Sequence, residues 1–245
     1  HYAFGTTDKL HKTILQKFPN AKITVILSDI YQIRLGLEGD AAQRQIKPWT
    51  DWNAYEKMVG EVIRDVHASG RVDYWDIWSE PNWLWGGTHA QILEMVKRTV
   101  DVIRSIDTRA KIVAPSAGTG EHALLENIPL VPSLLSYARK NNLRIDAISW
   151  HEFDNPEDIS TRVDAIRQFF VQQPAFCKPS CPELHINEFS SPEEHLIPGW
   201  TEAWLSWLEK TNVDWASRSC WWVERNPPLV RERFGDCWAG LNGLF

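Results

Sequence analysis

The chain has 245 residues, 43% hydrophobic and 24% charged, the balance of an ordinary globular protein with a substantial core. Its net charge of −6, with Lys and Arg scattered, argues against nucleic acid or an anionic membrane surface as partner. No apolar run approaches the ~18 residues of a membrane span, and the opening HYAFGTTDKL does not read as a signal peptide.

In chain order, an amphipathic stretch over Asp8–Phe18 is followed by a β-rich run, KITVILS, over Lys22–Ser28. A second helical pattern covers Asp51–Ala68, with Thr50 as a candidate cap, and leads into a strand over Val72–Trp78. Ala90–Ile106 is predicted helical behind Thr88, and KIVA (Lys111–Ala114) is the third strand. IDAISW (Ile145–Trp150) is the fourth strand, and Ser160 beyond it fits, like Thr50 and Thr88, a helix N-cap or first-turn position. ELHIN (Glu183–Asn187), a helix over Glu202–Lys210 and ASRSCWWV (Ala216–Val223) complete the series. Near-continuous apolar strands alternating with helices predict a parallel sheet covered by helices. With no low-complexity linker, residues 1–245 are read as a single domain.

The alternation fits either a (β/α)8 barrel or a doubly wound open sheet. The open sheet with a dinucleotide site needs a glycine-rich turn after the first strand, and LSDIYQIRLGLEG is not one. The barrel is favoured because polar residues cluster where strands end: Ser28-Asp29, Glu80, Ser116, His151 and Glu188. The expected fold class is therefore α/β, a TIM barrel. The sequence offers six strands where a barrel has eight, so the chain is expected to lack the first two strands, the helix between them and the last helix.

Fourteen Trp residues exceed what a core of this size needs, and some are expected to line a binding surface. Four Cys lie at Cys177, Cys181, Cys220 and Cys237. A zinc site is the less simple reading, since neither pair has CxxC spacing and no His stands in a partner position. Two local disulfides, Cys177–Cys181 and Cys220–Cys237, are the simpler one, and they imply an oxidising, extracellular location. No metal or other cofactor is expected.

Two carboxylates organise the functional reading. Glu80, in VDYWDIWSEPN, and Glu188, in HINEFS, each follow a strand, and 108 residues separate them. At roughly 35 residues per βα unit they stand three strands apart, facing each other across a barrel mouth. Opposed carboxylates in a Trp-rich cleft suit glycoside hydrolysis, where one protonates the leaving oxygen and the other attacks the anomeric carbon or activates water. A separation of about 5–5.5 Å would mark a retaining enzyme.

WSEPN resembles the W-N-E-P signature of clan A retaining glycoside hydrolases, most of all family 39, which includes β-xylosidases, α-L-iduronidase and exopolysaccharide endoglycosidases. HINEFS is similar to that family's nucleophile segment, ISWHEF to its strand-six segment, and CWW to its Trp-bearing last strand. The resemblance implies Glu80 as acid/base and Glu188 as nucleophile. It implies His151 beside the attacked sugar and Trp222 as the stacking floor, with Glu224 joining the substrate-binding set. Asn82, Trp83 and Trp85, in the NWLWGG loop, are expected to meet an extended polysaccharide or oligosaccharide chain.

Two residues depart from the family pattern. Ser79 stands where the family has the Asn that contacts the sugar 2-hydroxyl, and Phe153 stands where it has a Tyr. Both remain in the expected substrate-binding set, and both keep open a second class of function: a weakly active or inactive carbohydrate-binding protein on the same barrel. A metal-dependent hydrolase using His151, Glu152 and Asp154 is disfavoured, because residues alternating along a strand do not converge on one ion.

Overall fold

A computed structural model describes residues 4–27, 51–85, 87–118, 130–190, 194 and 197–218. The described strands are β1 (Thr24–Leu27), β2 (Tyr74–Ile77), β3 (Lys111–Ala117), β4 (Ala147–Glu152), β5 (Glu183–Phe189) and β6 (Trp215–Arg218). The helices are α1 (Phe4–Lys17), α2 (Trp52–Ser69), α3 (Pro81–Leu84), α4 (His89–Ile106), α5 (Leu130–Lys140), α6 (Asp158–Gln172) and α7 (Pro198–Thr211). A 3-10 turn covers Pro174–Cys177.

The chain forms two units, His1–Ala117 with Leu130–Ile148, and Gly118–Pro129 with Ser149–Phe245. Strands pair in chain order, β1-β2-β3-β4-β5-β6. Six strands in one sheet, with helices between them, bear out the α/β reading.

In the first unit β1 pairs parallel with β2 (Thr24↔Tyr74 to Leu27↔Ile77), and β2 with β3 (Tyr74↔Lys111 to Asp76↔Val113). Every residue of β2 is buried, as a parallel strand covered on both faces requires. Alternation puts Tyr74 and Asp76 on one face and Trp75 and Ile77 on the other. On the first face Tyr74 joins Val113 and Ala147 in a buried cluster. On the second, the Trp75 indole N–H donates to Asp107 at the end of α4, at 3.2 Å.

The helices of this unit follow their sequence patterns. In α2, Tyr55, Val59, Ile63 and Val66 recur at three- and four-residue spacing and are buried. Asp51 caps it by accepting from Ala54 N–H at 3.0 Å, one residue after the predicted cap Thr50, which lies outside the described residues. In α4, Ile92, Met95, Val96, Val100 and Ile103 form the buried stripe. Burial of each such side chain contributes about 1.5–3 kcal/mol. Thr88 starts α4 with a capping box. Its hydroxyl accepts from Gln91 N–H at 3.3 Å, and its own N–H donates to the Gln91 side chain at 2.8 Å.

In the second unit β5 pairs parallel with β6, with a register irregularity between Ile186 and Phe189. Helix α6 buries Ile159, Val163, Ile166 and Phe170, and with them Arg162. Helix α7 buries Trp204, whose ring packs against Phe189 at 5.9 Å and whose indole N–H donates to Glu194 at 3.0 Å. Cys177 and Cys181 stand at bonding distance, with S–S 2.03 Å. Cys220 and Cys237 lie outside the described residues.

Candidate active site

The first unit carries Glu80. Strand β2 ends at Ile77, but its ladder runs one residue further, because Trp78 N–H donates to Leu27 C=O at 3.0 Å. The chain then turns through two left-handed residues, Trp78 (φ 73°) and Glu80 (φ 48°), and Pro81 opens the short helix α3. Glu80 N–H donates to the carbonyl of Ser116 at 2.8 Å, which fixes the turn to β3. Glu80 and Asn82 are half-buried, whereas Ser79 is buried. The Trp83 side chain lies outside the described ones.

Trp85 packs inward. Only 8% of it is exposed, its ring meets Trp78 edge-on at 5.3 Å, and its N–H donates to Thr88 C=O at 3.2 Å. Within the described residues it ties the turn after Glu80 to the start of α4.

Asp76 is the residue that the sequence reading passed over. It is fully buried on the face opposite Trp75, and it accepts from the Ser116 hydroxyl at 3.3 Å. An acid inside the apolar and aromatic run YWDIW was the signal. Ser116 was expected just beyond β3, but it lies within that strand, and so do His151 in β4 and Glu188 in β5. The strands run on because their carbonyls are still claimed there, that of Ser116 by Glu80 and that of Glu152 by Ser190 (3.0 Å).

The second unit carries Glu188, half-buried in the irregular stretch of β5. Irregularities of this type re-aim a side chain next to active sites. Ser190, two residues on, is left-handed (φ 69°). His151 is buried, and Phe153 meets it edge-on at 5.7 Å.

Behind His151, Glu152 points the other way into a buried network. It accepts from the Trp150 indole N–H at 2.5 Å and pairs with Arg162, which also reaches Asp154 at 3.2 Å. Burial pushes the Glu152 carboxyl up to about 7, outweighing the Arg162 charge and the Trp150 hydrogen bond. Glu152 and Asp154 are thus both engaged by Arg162, a partner that sequence spacing alone did not disclose. Trp222 and Glu224 lie outside the described residues.

No family model matches the chain. It is 23% identical over 123 residues to a beta-xylosidase from Caldicellulosiruptor saccharolyticus, a match covering 47% of this chain and 23% of the relative. Among solved structures it resembles a glucosidase from Croceicoccus marinus, with TM-score 0.68 and 19% identity over 89% of this chain and 45% of that one. It also resembles a family 39 beta-xylosidase from Caulobacter crescentus, with TM-score 0.60 and 16% identity over 87% and 48%.

The chain is similar to family 39 glycoside hydrolases. It spans less than half the length of these solved relatives and matches about a quarter of the curated one. The structural likeness shows the fold, the parallel α/β arrangement of glycosidase barrels.

Proposed function

We propose that the protein is a retaining glycosidase in which Glu80 is the acid/base and Glu188 the nucleophile. The observation that carries this reading is the shared likeness to glycosidases in sequence and in fold. It is supported by two half-buried glutamates, each at the C-terminal end of a parallel strand where the backbone departs from regular geometry. Functional groups of barrel enzymes come from such strand ends.

In the first step a Glu188 carboxylate oxygen attacks the anomeric carbon, the glycosidic C–O bond breaks, and Glu80 gives its proton to the departing oxygen. In the second, Glu80 takes a proton from water, the water oxygen attacks the anomeric carbon, and Glu188 leaves as carboxylate. A retaining mechanism of this kind requires carboxyl groups about 5–5.5 Å apart. His151, with Phe153 on its edge, is assigned to the attacked sugar. Ser79, Asn82, Trp83, Trp222 and Glu224 are assigned to the surrounding substrate subsites, while Trp85, packed inward, supports the turn that carries Glu80.

The relatives' names direct the substrate search to β-xylosides and glucosides, within a polysaccharide or glycoconjugate. The Cys177–Cys181 pair is read as a disulfide, and the protein as secreted. The test is hydrolysis of 4-nitrophenyl β-xyloside, β-glucoside and a panel of plant and bacterial polysaccharides, with proton NMR of the first product formed. Release of the β-anomer supports the reading. Binding without release in the wild type, unchanged in Glu188→Gln, gives the carbohydrate-binding alternative instead.

A further inference from the structure

We propose that Ser116 is a positioning residue for Glu80, acting through a link that runs from β2 to β3 and back. The inference rests on the acid/base reading of Glu80 and adds to it the device that sets the direction of that side chain.

Six non-glycine residues among those described have left-handed backbone: Trp78, Glu80, Ser116, Asn142, Ser190 and Asn212. The two Asn residues follow helices α5 and α7, where Asn adopts this conformation at little cost. The other four have no such excuse, and each costs about 1–3 kcal/mol unless its surroundings hold it there. All four sit at the C-terminal ends of β2, β3 and β5, the strands that bear the two glutamates and the strand that supports Glu80.

Ser116 is held at both ends. Its carbonyl accepts Glu80 N–H at 2.8 Å, and its hydroxyl donates to the buried Asp76 carboxylate at 3.3 Å. Asp76 lies on the same strand end, four residues before Glu80. The hydroxyl–carboxylate bond keeps Ser116 in the strained conformation, and that conformation presents its carbonyl to Glu80. The bond from Glu80 N–H to that carbonyl anchors the peptide unit that leads into Glu80, and with it the position from which its side chain departs. No ligand atom touches Ser116 or Asp76 in this scheme; they act on chemistry only through where Glu80 points.

The experiment compares Ser116→Gly, Ser116→Ala and Glu80→Gln in the full chain. Glycine takes up the left-handed backbone freely and removes the hydroxyl, so it is the variant best able to fold; alanine removes the hydroxyl with Cβ retained. The probes are phenyl β-xyloside, whose poor leaving group needs the acid, and 2,4-dinitrophenyl β-xyloside, whose leaving group does not. General acid catalysis contributes roughly 10²–10⁴-fold, and misdirecting the acid should forfeit about tenfold of it. Both Ser116 variants should therefore lose about tenfold in kcat/KM on the phenyl xyloside and stay within about twofold on the dinitrophenyl one.

Glu80→Gln should show the same selectivity, more strongly. If it does, while the Ser116 variants lose both substrates equally or neither, Ser116 has no positioning role and the inference is overturned with the acid/base reading intact. If Glu80→Gln itself loses both substrates alike, the acid/base reading falls and the inference falls with it.

Discussion

Glu152 on β4 and Arg162 on α6 form an ion pair that is buried on both sides, with the Trp150 indole completing the shell of the carboxylate. A carboxyl held up to about 7 in the folded state and near 4.5 when unfolded takes up a proton on folding between those values. Stability therefore falls as pH rises from about 4.5 to about 7, by something on the order of 3 kcal/mol from this group. Urea unfolding at pH 5, 6, 7 and 8 should show that Glu152→Gln flattens this decline. An unchanged slope in the variant would remove Glu152 as its source.

The partner gives a complementary expectation. Arg162→Met leaves a buried carboxylate with no opposing charge, a loss of about 3–5 kcal/mol once Glu152 is ionised. The defect should be larger at pH 8 than at pH 5, where a protonated Glu152 tolerates the apolar neighbour. A defect independent of pH would mean that Arg162 contributes packing and not charge.

The capping box at Thr88 sets how the chain enters α4 after the Glu80 turn. Thr88→Ala should cost about 0.5–2 kcal/mol. The Trp85 bond goes to the backbone carbonyl of Thr88 and survives the change, so leaving-group dependence should stay as in the wild type. Thermal unfolding together with kinetics on two aryl xylosides checks both halves of this expectation.

Much of this organisation was legible in the sequence. Trp75 and Ile77 alternate with Tyr74 and Asp76 in a run short enough to be a strand, and Thr88-x-x-Gln91 before an apolar stripe is a helix start. Strand ends were less so: Ser116, His151 and Glu188 were placed just past strands that in fact include them, because hydrogen bonds to the next strand, not composition, decide where a ladder stops. Nothing in the spacing marks Arg162 as buried, since the carboxylates it pairs with come from residues 152 and 154. Asp76 was visible as an acid in an apolar run, but its partner Ser116 is 40 residues away and only the parallel pairing of β2 and β3 brings them together.

The Cys177–Cys181 pair closes a loop with a sequence separation of only 4. Constraint of so short a loop is worth about 2 kcal/mol or less. Cys177→Ser should lower the unfolding midpoint modestly and leave kinetics intact. Intact mass of protein purified without reductant should rise by four hydrogens on reduction, two for each expected pair, and an unchanged mass would remove the argument for an oxidising location.

The assignment of Glu188 as nucleophile is tested most directly by whether it becomes glycosylated. Incubation with 2,4-dinitrophenyl 2-deoxy-2-fluoro-β-xyloside, which forms the glycosyl-enzyme quickly and releases it slowly, should add one sugar to the intact protein. Peptide mapping should place that sugar on Glu188, and Glu188→Gln should take up none. A sugar carried on any other residue, or turnover of the parent xyloside with no trapped adduct and an inverted product, would contradict it.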